Sequence, residues 1–220
     1  MRDMECMAGP NSETTLRMLK QAAAGDPAGW SALQRRFHDR LRRMVSMRLD
    51  PRLQGRFDPS DVLQATYLDA FARLPDYLRE PKHPFFLWLR YLTGHHLGRL
   101  HRDHLGRQMR DAGREVSLYR GAMPEASSVA LAAQLLGKEC RPSELAQRAE
   151  RKLRLQQALD RMDPLDREVL SLRHFEHLTR KETAQVLDIS EAAGAKRYLR
   201  ALERLREILA LLPGGLEEFR

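Results

Sequence analysis

Cysteine is scarce in this sequence and long apolar runs are missing, and each shortage removes a class of protein. Two cysteines occur among 220 residues, Cys6 and Cys140. They lie far apart with no CxxC or Cys/His spacing near them, so neither a disulfide framework nor a structural zinc is expected, and a reducing compartment fits. No segment approaches the run of about eighteen apolar residues that a membrane span needs, and the opening MRDMECMAGPNSE lacks the apolar stretch of an export signal. A cytoplasmic location without membrane contact is expected. No Gly-rich phosphate loop, nucleophile elbow or HExxH occurs either, so the sequence predicts no catalytic residues, no cofactor and no enzyme. His83, His95, His96, His101 and His104 raise the question of a metal. His101 and His104 share a helical face, yet no carboxylate is spaced as a third ligand, and surface or nucleic-acid-facing histidines are the expectation.

What is present is positive charge. Lys and Arg number 38 against 30 Asp and Glu, a net charge of +8, with a pI near 9.9. A polyanionic partner follows. The excess is local: Arg35, Arg36, Arg40, Arg42, Arg43, Arg48, Arg52 and Arg56 crowd a stretch in which Asp39 and Asp50 are the only acids. A chain of this length holds one medium domain or two small ones.

The periodicity is helical. Trp30, Leu33, Phe37, Leu41, Val45 and Leu49 recur at three- and four-residue steps, and Leu63, Tyr67, Ala70, Phe71 and Leu74 form a second stripe. Asp26-Pro27 and Asp58-Pro59-Ser60-Asp61 open these helices with a capping carboxylate followed by proline. Pro75, Pro81 and Pro84 then predict a loop, after which Phe85, Phe86, Leu89, Leu92 and Leu100 mark another helix. From about 111 to 147 glycines and prolines predict a linker with one or two short helices around the apolar patch Val129 to Leu136. Helical periodicity returns through Leu153, Leu155, Leu159 and Met162, and Asp163-Pro164-Leu165-Asp166 caps a further helix. No sustained period-two run argues for a strand. The expected fold is all-α: a helical domain over 13–110, a linker over 111–147 and a second helical domain over 148–212.

Thr179-Arg180-Lys181-Glu182 reads as a capping box. The helix it starts meets Asp188-Ile189-Ser190, where Asp188 suits a left-handed turn and Ser190 a second cap. Two short helices joined by a tight turn result. On the second, Leu199, Leu202, Leu205 and Leu209 are expected to be buried, whereas Arg197, Arg200 and Arg204 share another face flanked by Lys196. A buried stripe backed by a cationic ridge suits insertion into a DNA major groove. Gly194 in this helix costs about 1 kcal/mol relative to alanine unless it permits a close approach.

Residues 159 to 209, LDRMDPLDREVLSLRHFEHLTRKETAQVLDISEAAGAKRYLRALERLREIL, resemble region four of the sigma-70 family of sigma factors. DPSDVLQATYLDAFARL, residues 58 to 74, resembles region 2.2, and FFLWLRYLTGHHLGRLHRDH, residues 85 to 104, resembles regions 2.3 and 2.4. The order and spacing are those of the family, and the lack of a recognisable helical region three points to its extracytoplasmic-function group. The resemblance implies a region 2 bundle and a region 4 helix-turn-helix. It also implies binding to core RNA polymerase through Asp61 and Gln64, and promoter DNA as the second partner. The loop 75 to 84 falls where the family captures a flipped minus-ten base, beside Trp88, Arg90, His95, Arg99 and Arg102. Lys196, Arg197, Arg200 and Arg204 fall in the helix that reads the minus-thirty-five element. His95 and Arg99 stand where the family often has asparagine and aspartate, and Ala193-Gly194-Ala195-Lys196-Arg197 replaces its frequent T-V-K-S-R run, so no promoter sequence transfers. A separate anti-sigma inhibitor stays open as a partner.

Two elements separated by roughly two duplex turns of about 34 Å ask the domains to span about 70 Å, and about thirty extended residues reach about 100 Å. The linker is long enough. A stand-alone helix-turn-helix regulator would also explain residues 179 to 206 and the basic pI, but it leaves the amino-terminal domain without a purpose.

Overall fold

The computed structural model describes residues 13–105, 123–136 and 145–210. Cys6, Cys140, the polar stretch after 105 and residues 111–122 and 137–144 of the expected linker lie outside the described residues. The described elements are helices: α1 (Glu13–Ala23), α2 (Pro27–Arg48), α3 (Pro59–Arg79), α4 (Phe85–Leu105), α5 (Ser128–Leu135), α6 (Leu145–Asp160), α7 (Pro164–Leu170), a π-helical turn (Ser171–Phe175), α8 (Arg180–Leu187) and α9 (Glu191–Ala210). The described residues fall into two compact units, one of 13–45, 51–105 and 123, the other of 46–50, 124–136 and 145–210.

In the first unit capping chemistry places the starts of α2 and α3. Asp26 accepts from Ala28 N at 2.8 Å. Asp58 accepts from Ser60 N at 2.8 Å and heads a full capping box on α3. Between α1 and α2 the chain turns through Gly25 at φ +81°, and a Cβ on Gly29 would come within 2.6 Å of the Ala22 backbone nitrogen. Glycine is therefore required where the two helices meet. Leu33, Phe37, Leu41 and Val45 of α2 are buried, and the Phe37 ring packs 5.8 Å from Phe85 and 5.6 Å from Phe86. Arg40 lies over Phe86 with its guanidinium carbon 3.6 Å from the ring centroid, so a charged residue covers the core's edge.

Two expectations fail in this unit. Pro75 does not end α3; the helix runs through it to Arg79, and the loop shrinks to the residues before Phe85. The proline forfeits one helical hydrogen bond, but Leu74 and Tyr77 on either side of it are buried. Tyr77 also donates its hydroxyl to the His83 carbonyl at 2.9 Å and stacks on Trp88 at 4.6 Å, so tertiary contacts hold the last turn. Phe71, read as core, is 54% exposed. The buried stripe of α3 is Val62, Leu63, Thr66, Ala70, Leu74 and Tyr77, one step around the helix from the one expected.

The core of the second unit joins Met47 to Ala126, Leu131 and Ala132 around α5, to Leu155, Leu159 and Met162 around α6, and to Leu170, Ala201 and Ile208. Met47 also accepts, through its carbonyl, the Ser127 N–H at 2.9 Å. Beside it Arg48 is wholly buried, paired with Glu168 and, at 2.6 Å, with Glu176. Burial works to lower the Arg48 pKa, but the two carboxylates outweigh it and the net shift is upward, so the guanidinium is a permanent charge. Glu168 additionally accepts from Ala126 N at 3.3 Å. Among the described residues no helix is long and apolar enough to cross a membrane.

Candidate nucleic-acid interface

The helix-turn-helix of the second unit forms as its residues dictate. Thr179 accepts from Glu182 N at 3.2 Å, and Glu182 reaches back to Thr179 N at 2.8 Å. Asp188 adopts the left-handed conformation at φ 55° and ψ 48°, which turns the chain within two residues, and Ser190 caps α9 by accepting from Ala193 N at 3.1 Å. Ahead of them Asp163 caps α7, accepting from Leu165 N at 2.8 Å.

The phase of α9 differs from the expectation. Its buried residues are Gly194, Ala201 and Ile208, at seven-residue steps, while Leu202, Leu205 and Leu209 are partly buried beside them and Leu199 is 59% exposed. Small residues at 194 and 201 let the neighbouring helices approach, and that approach, rather than leucine content, fixes which face turns inward. A Cβ at Gly194 would meet Ile189 Cδ1 at 3.7 Å and Ala184 Cβ at 4.0 Å, both ordinary contact distances. Gly194→Ala is therefore expected to stabilise the protein by about 1 kcal/mol, read as a higher urea midpoint; a lower midpoint would mean that the site is tighter than the geometry shows.

With this phase, Lys196 is exposed, and Arg204 is exposed with Glu207 as a partner at 3.0 Å. Arg197 lies closer in, next to the buried positions, 3.0 Å from Asp166 and 3.5 Å from Asp163. Arg200, more exposed, also reaches Asp166, at 3.1 Å. The Asp166 hydrogen bond and charge raise the Arg200 pKa. Both aspartates were read as helix caps alone; their second role depends on packing between α7 and α9, which no local pattern reveals. Next to Arg197 on α9, the Tyr198 hydroxyl pairs with His174 of the π-helical turn at 2.9 Å.

Burial, and then the adjacent Arg173, hold the His174 pKa below its ordinary value of 6.5. The unfolded chain binds a proton near pH 6.5 that the folded chain refuses. This contribution to stability is complete above pH 6.5 and is lost as the pH falls through the lowered folded value. The urea midpoint followed by far-UV circular dichroism is expected to be lower at pH 5.5 than at pH 7.5, and His174→Gln is expected to shrink that difference. An undiminished difference in the variant would assign the pH dependence to other groups.

In the first unit α4 collects most of the remaining candidates. Trp88, His95, Arg99 and Arg102 follow one another at seven-, four- and three-residue steps and so lie along one face. Trp88 is half-buried, stacked on Tyr77, while His95, Arg99 and Arg102 are exposed. Tyr91 joins this face, edge-on to His95 at 4.3 Å. Partial burial, then Arg102, Arg73 and His96, keep the His95 pKa below its ordinary value. At pH 7 it is a neutral imidazole, able to donate and accept hydrogen bonds but poorly suited to neutralising phosphate. Arg90 does not share the face: it is 2% exposed, inside the bundle. Its place at the third position after Leu87, among apolar neighbours, was the available signal.

Asp61 and Gln64 separate in the same way. The Asp61 carboxylate accepts from Asp58 N at 2.8 Å and completes the α3 capping box. Gln64 instead lines a groove of about 560 Å³ with Trp30, Tyr67, Leu68 and Phe71. Phe71 meets Trp30 edge-on at 5.3 Å, and Leu68 is 76% exposed, so the groove has an apolar rim; periodicity had placed Trp30 and Phe71 on buried stripes and had not marked Leu68. Burial and Asp39 push Tyr67 up to about 12, so its hydroxyl stays protonated. Among the described residues no group of three or more His, Cys, Asp or Glu side chains could hold a metal ion.

Residues 152–205 match the family described as Sigma-70, region 4. The segment contains α7, the π-helical turn, α8 and most of α9. No curated protein matches the sequence. Among solved structures the fold is similar to that titled "Structure of CnrH in complex with the cytosolic domain of CnrY". The TM-score is 0.54 and the identity 22%, over 90% of this chain and 97% of that one.

Proposed function

We propose that this chain, a sigma-70 family protein by the region 4 it carries at residues 152–205, is an initiation factor of the extracytoplasmic-function type. It binds core RNA polymerase in the cytoplasm and directs it to promoters. The observation that carries the reading is the helix-turn-helix inside the matched segment, with its capping box, left-handed Asp188 and Ser190 cap. Lys196, Arg200 and Arg204 of α9 supply charge for the minus-thirty-five duplex, with Arg197 behind them on the flank. On the first unit, the face of α4 formed by Trp88, His95, Arg99 and Arg102 suits separated minus-ten DNA. There a half-exposed ring offers a stacking surface and two arginines neutralise phosphate. The groove beside Gln64, with the exposed Leu68 and Phe71, serves as the polymerase surface, since large apolar groups exposed together mark interaction sites. The chemistry of chain synthesis belongs to the polymerase; this chain contributes recognition and strand separation.

The similar CnrH was solved with the cytosolic domain of CnrY, which supports a protein partner here also, of the anti-sigma kind. Run-off transcription with purified core polymerase, followed by mapping of transcript starts, tests the reading. Specific starts that share a pair of upstream elements are expected. A chain that binds duplex DNA but leaves core polymerase unable to initiate would be a stand-alone regulator instead.

A further inference from the structure

We propose that Asp166 is a built-in competitor for DNA phosphate, holding Arg197 and Arg200 of the recognition helix in ion pairs within the chain and so weakening its grip on non-specific DNA. The inference rests on reading α9 as the DNA-facing helix. Asp166 is 5% exposed, and one of its oxygens accepts from both arginines, at 3.0 Å from Arg197 and 3.1 Å from Arg200. Asp163 lies 3.5 Å from the same Arg197 nitrogen. Two guanidinium groups thus face two carboxylates, and what reads in sequence as half of a cationic ridge is close to electrically neutral in the fold. The side chains of the two arginines are unequally free, 26% exposed for Arg197 and 59% for Arg200. Arg200 pairs with Asp166 at its exposed end and can swing to a phosphate; Arg197 is held by both acids.

A phosphate that takes Arg200 must displace a carboxylate that is already aligned and partly desolvated. The gain from neutralising that phosphate is offset by the loss of the internal pair. Random duplex, which offers phosphates and nothing else, is penalised fully. A cognate site adds base-edge contacts that make up the difference. Asp166 thereby converts affinity into discrimination, which suits a chain meant to engage DNA on the polymerase rather than by itself.

The test is the salt dependence of binding to a short random-sequence duplex, by fluorescence anisotropy, for the full chain. Each cation newly available to phosphate steepens the slope of log K against log salt by about 0.9. Asp166→Asn is expected to bind more tightly, with a slope steeper by about 0.9 to 1.8, whereas Asp166→Glu stays near the parent. Arg200→Gln is expected to lower the slope by nearly the full 0.9 in the Asp166→Asn background, and by less than about half of that in the parent. The parent arm of that comparison changes only an exposed residue and is read even where Asp166→Asn proves unstable in circular dichroism: there a loss of the full slope of about 0.9 on Arg200→Gln would overturn the competitor. Equal slopes for the parent and Asp166→Asn, or weaker binding by the variant, would overturn the competitor and make Asp166 a group that positions the arginines for contact. Absence of duplex binding in both proteins at every salt concentration, together with no run-off product, would instead remove the DNA-facing reading on which the inference stands.

Discussion

Arg48→Ala is expected to destabilise the second unit by about 3–5 kcal/mol, because it leaves two carboxylates buried with no cation between them. The Arg48 side chain is wholly inaccessible, as is that of Glu176, and Glu168 is only slightly exposed. Neither acid can simply turn to water. Glu168 also holds the Ala126 N–H at the entrance to α5, so disturbing it loosens the contact between α5 and the rest of the core. The tryptophans separate the two units in the experiment. Trp30 and Trp88 both belong to the first unit, so their fluorescence follows that unit, whereas far-UV circular dichroism follows all the helices. Urea unfolding of Arg48→Ala is expected to show an early loss of ellipticity with an unshifted fluorescence transition. If the two signals stay together at the parent midpoint, the pair contributes nothing measurable. Replacing all three groups by apolar residues of similar volume is expected to recover most of the loss, since desolvation of the charges disappears with them.

Leu68→Glu is expected to reduce binding to core RNA polymerase at least tenfold and to abolish specific run-off product, while leaving the protein as stable as its parent to within about 0.5 kcal/mol. Leu68 is 76% exposed, so the fold does not depend on it. It stands on the rim of the groove that contains Gln64, Trp30 and Phe71, where a carboxylate would have to be desolvated by any partner that covers the groove. Binding is read by competition against labelled parent protein for core polymerase. Retained binding with a normal transcript would place the polymerase contact elsewhere on the first unit. The variant also separates the two halves of the proposed function: its duplex binding through α9 is expected to match the parent's at every salt concentration.

Local signals were legible wherever one residue type acts within one turn of helix. Asp26, Asp58, Asp163, Thr179 with Glu182, left-handed Asp188 and Ser190 all do in the fold what their identities suggest, because a capping oxygen satisfies an amide two or three residues away and needs no tertiary partner. The stripes were legible in period but not in phase. On α3 the expected face missed by one step and placed Phe71 inside, and on α9 it placed Leu199 inside, because three- and four-residue steps leave neighbouring faces nearly equivalent until a second helix chooses between them. Pro75 misled for the same reason in reverse. Its local cost is real, but Tyr77, bonded to the His83 carbonyl and stacked on Trp88, outweighs it.

The sequence by itself determined that the protein is helical, where most of its helices begin, that it carries a helix-turn-helix near its carboxyl end and that its charge favours a polyanion. These follow from spacing and composition, which are properties of neighbours along the chain. Only the tertiary structure decided which charges are available. It buried Arg90, sealed Arg48 between two glutamates and turned two arginines of α9 onto Asp166. An arginine's availability is set by the carboxylates that packing brings within reach, 31 and 34 positions away in the case of Asp166, and no periodicity along a single helix encodes that distance.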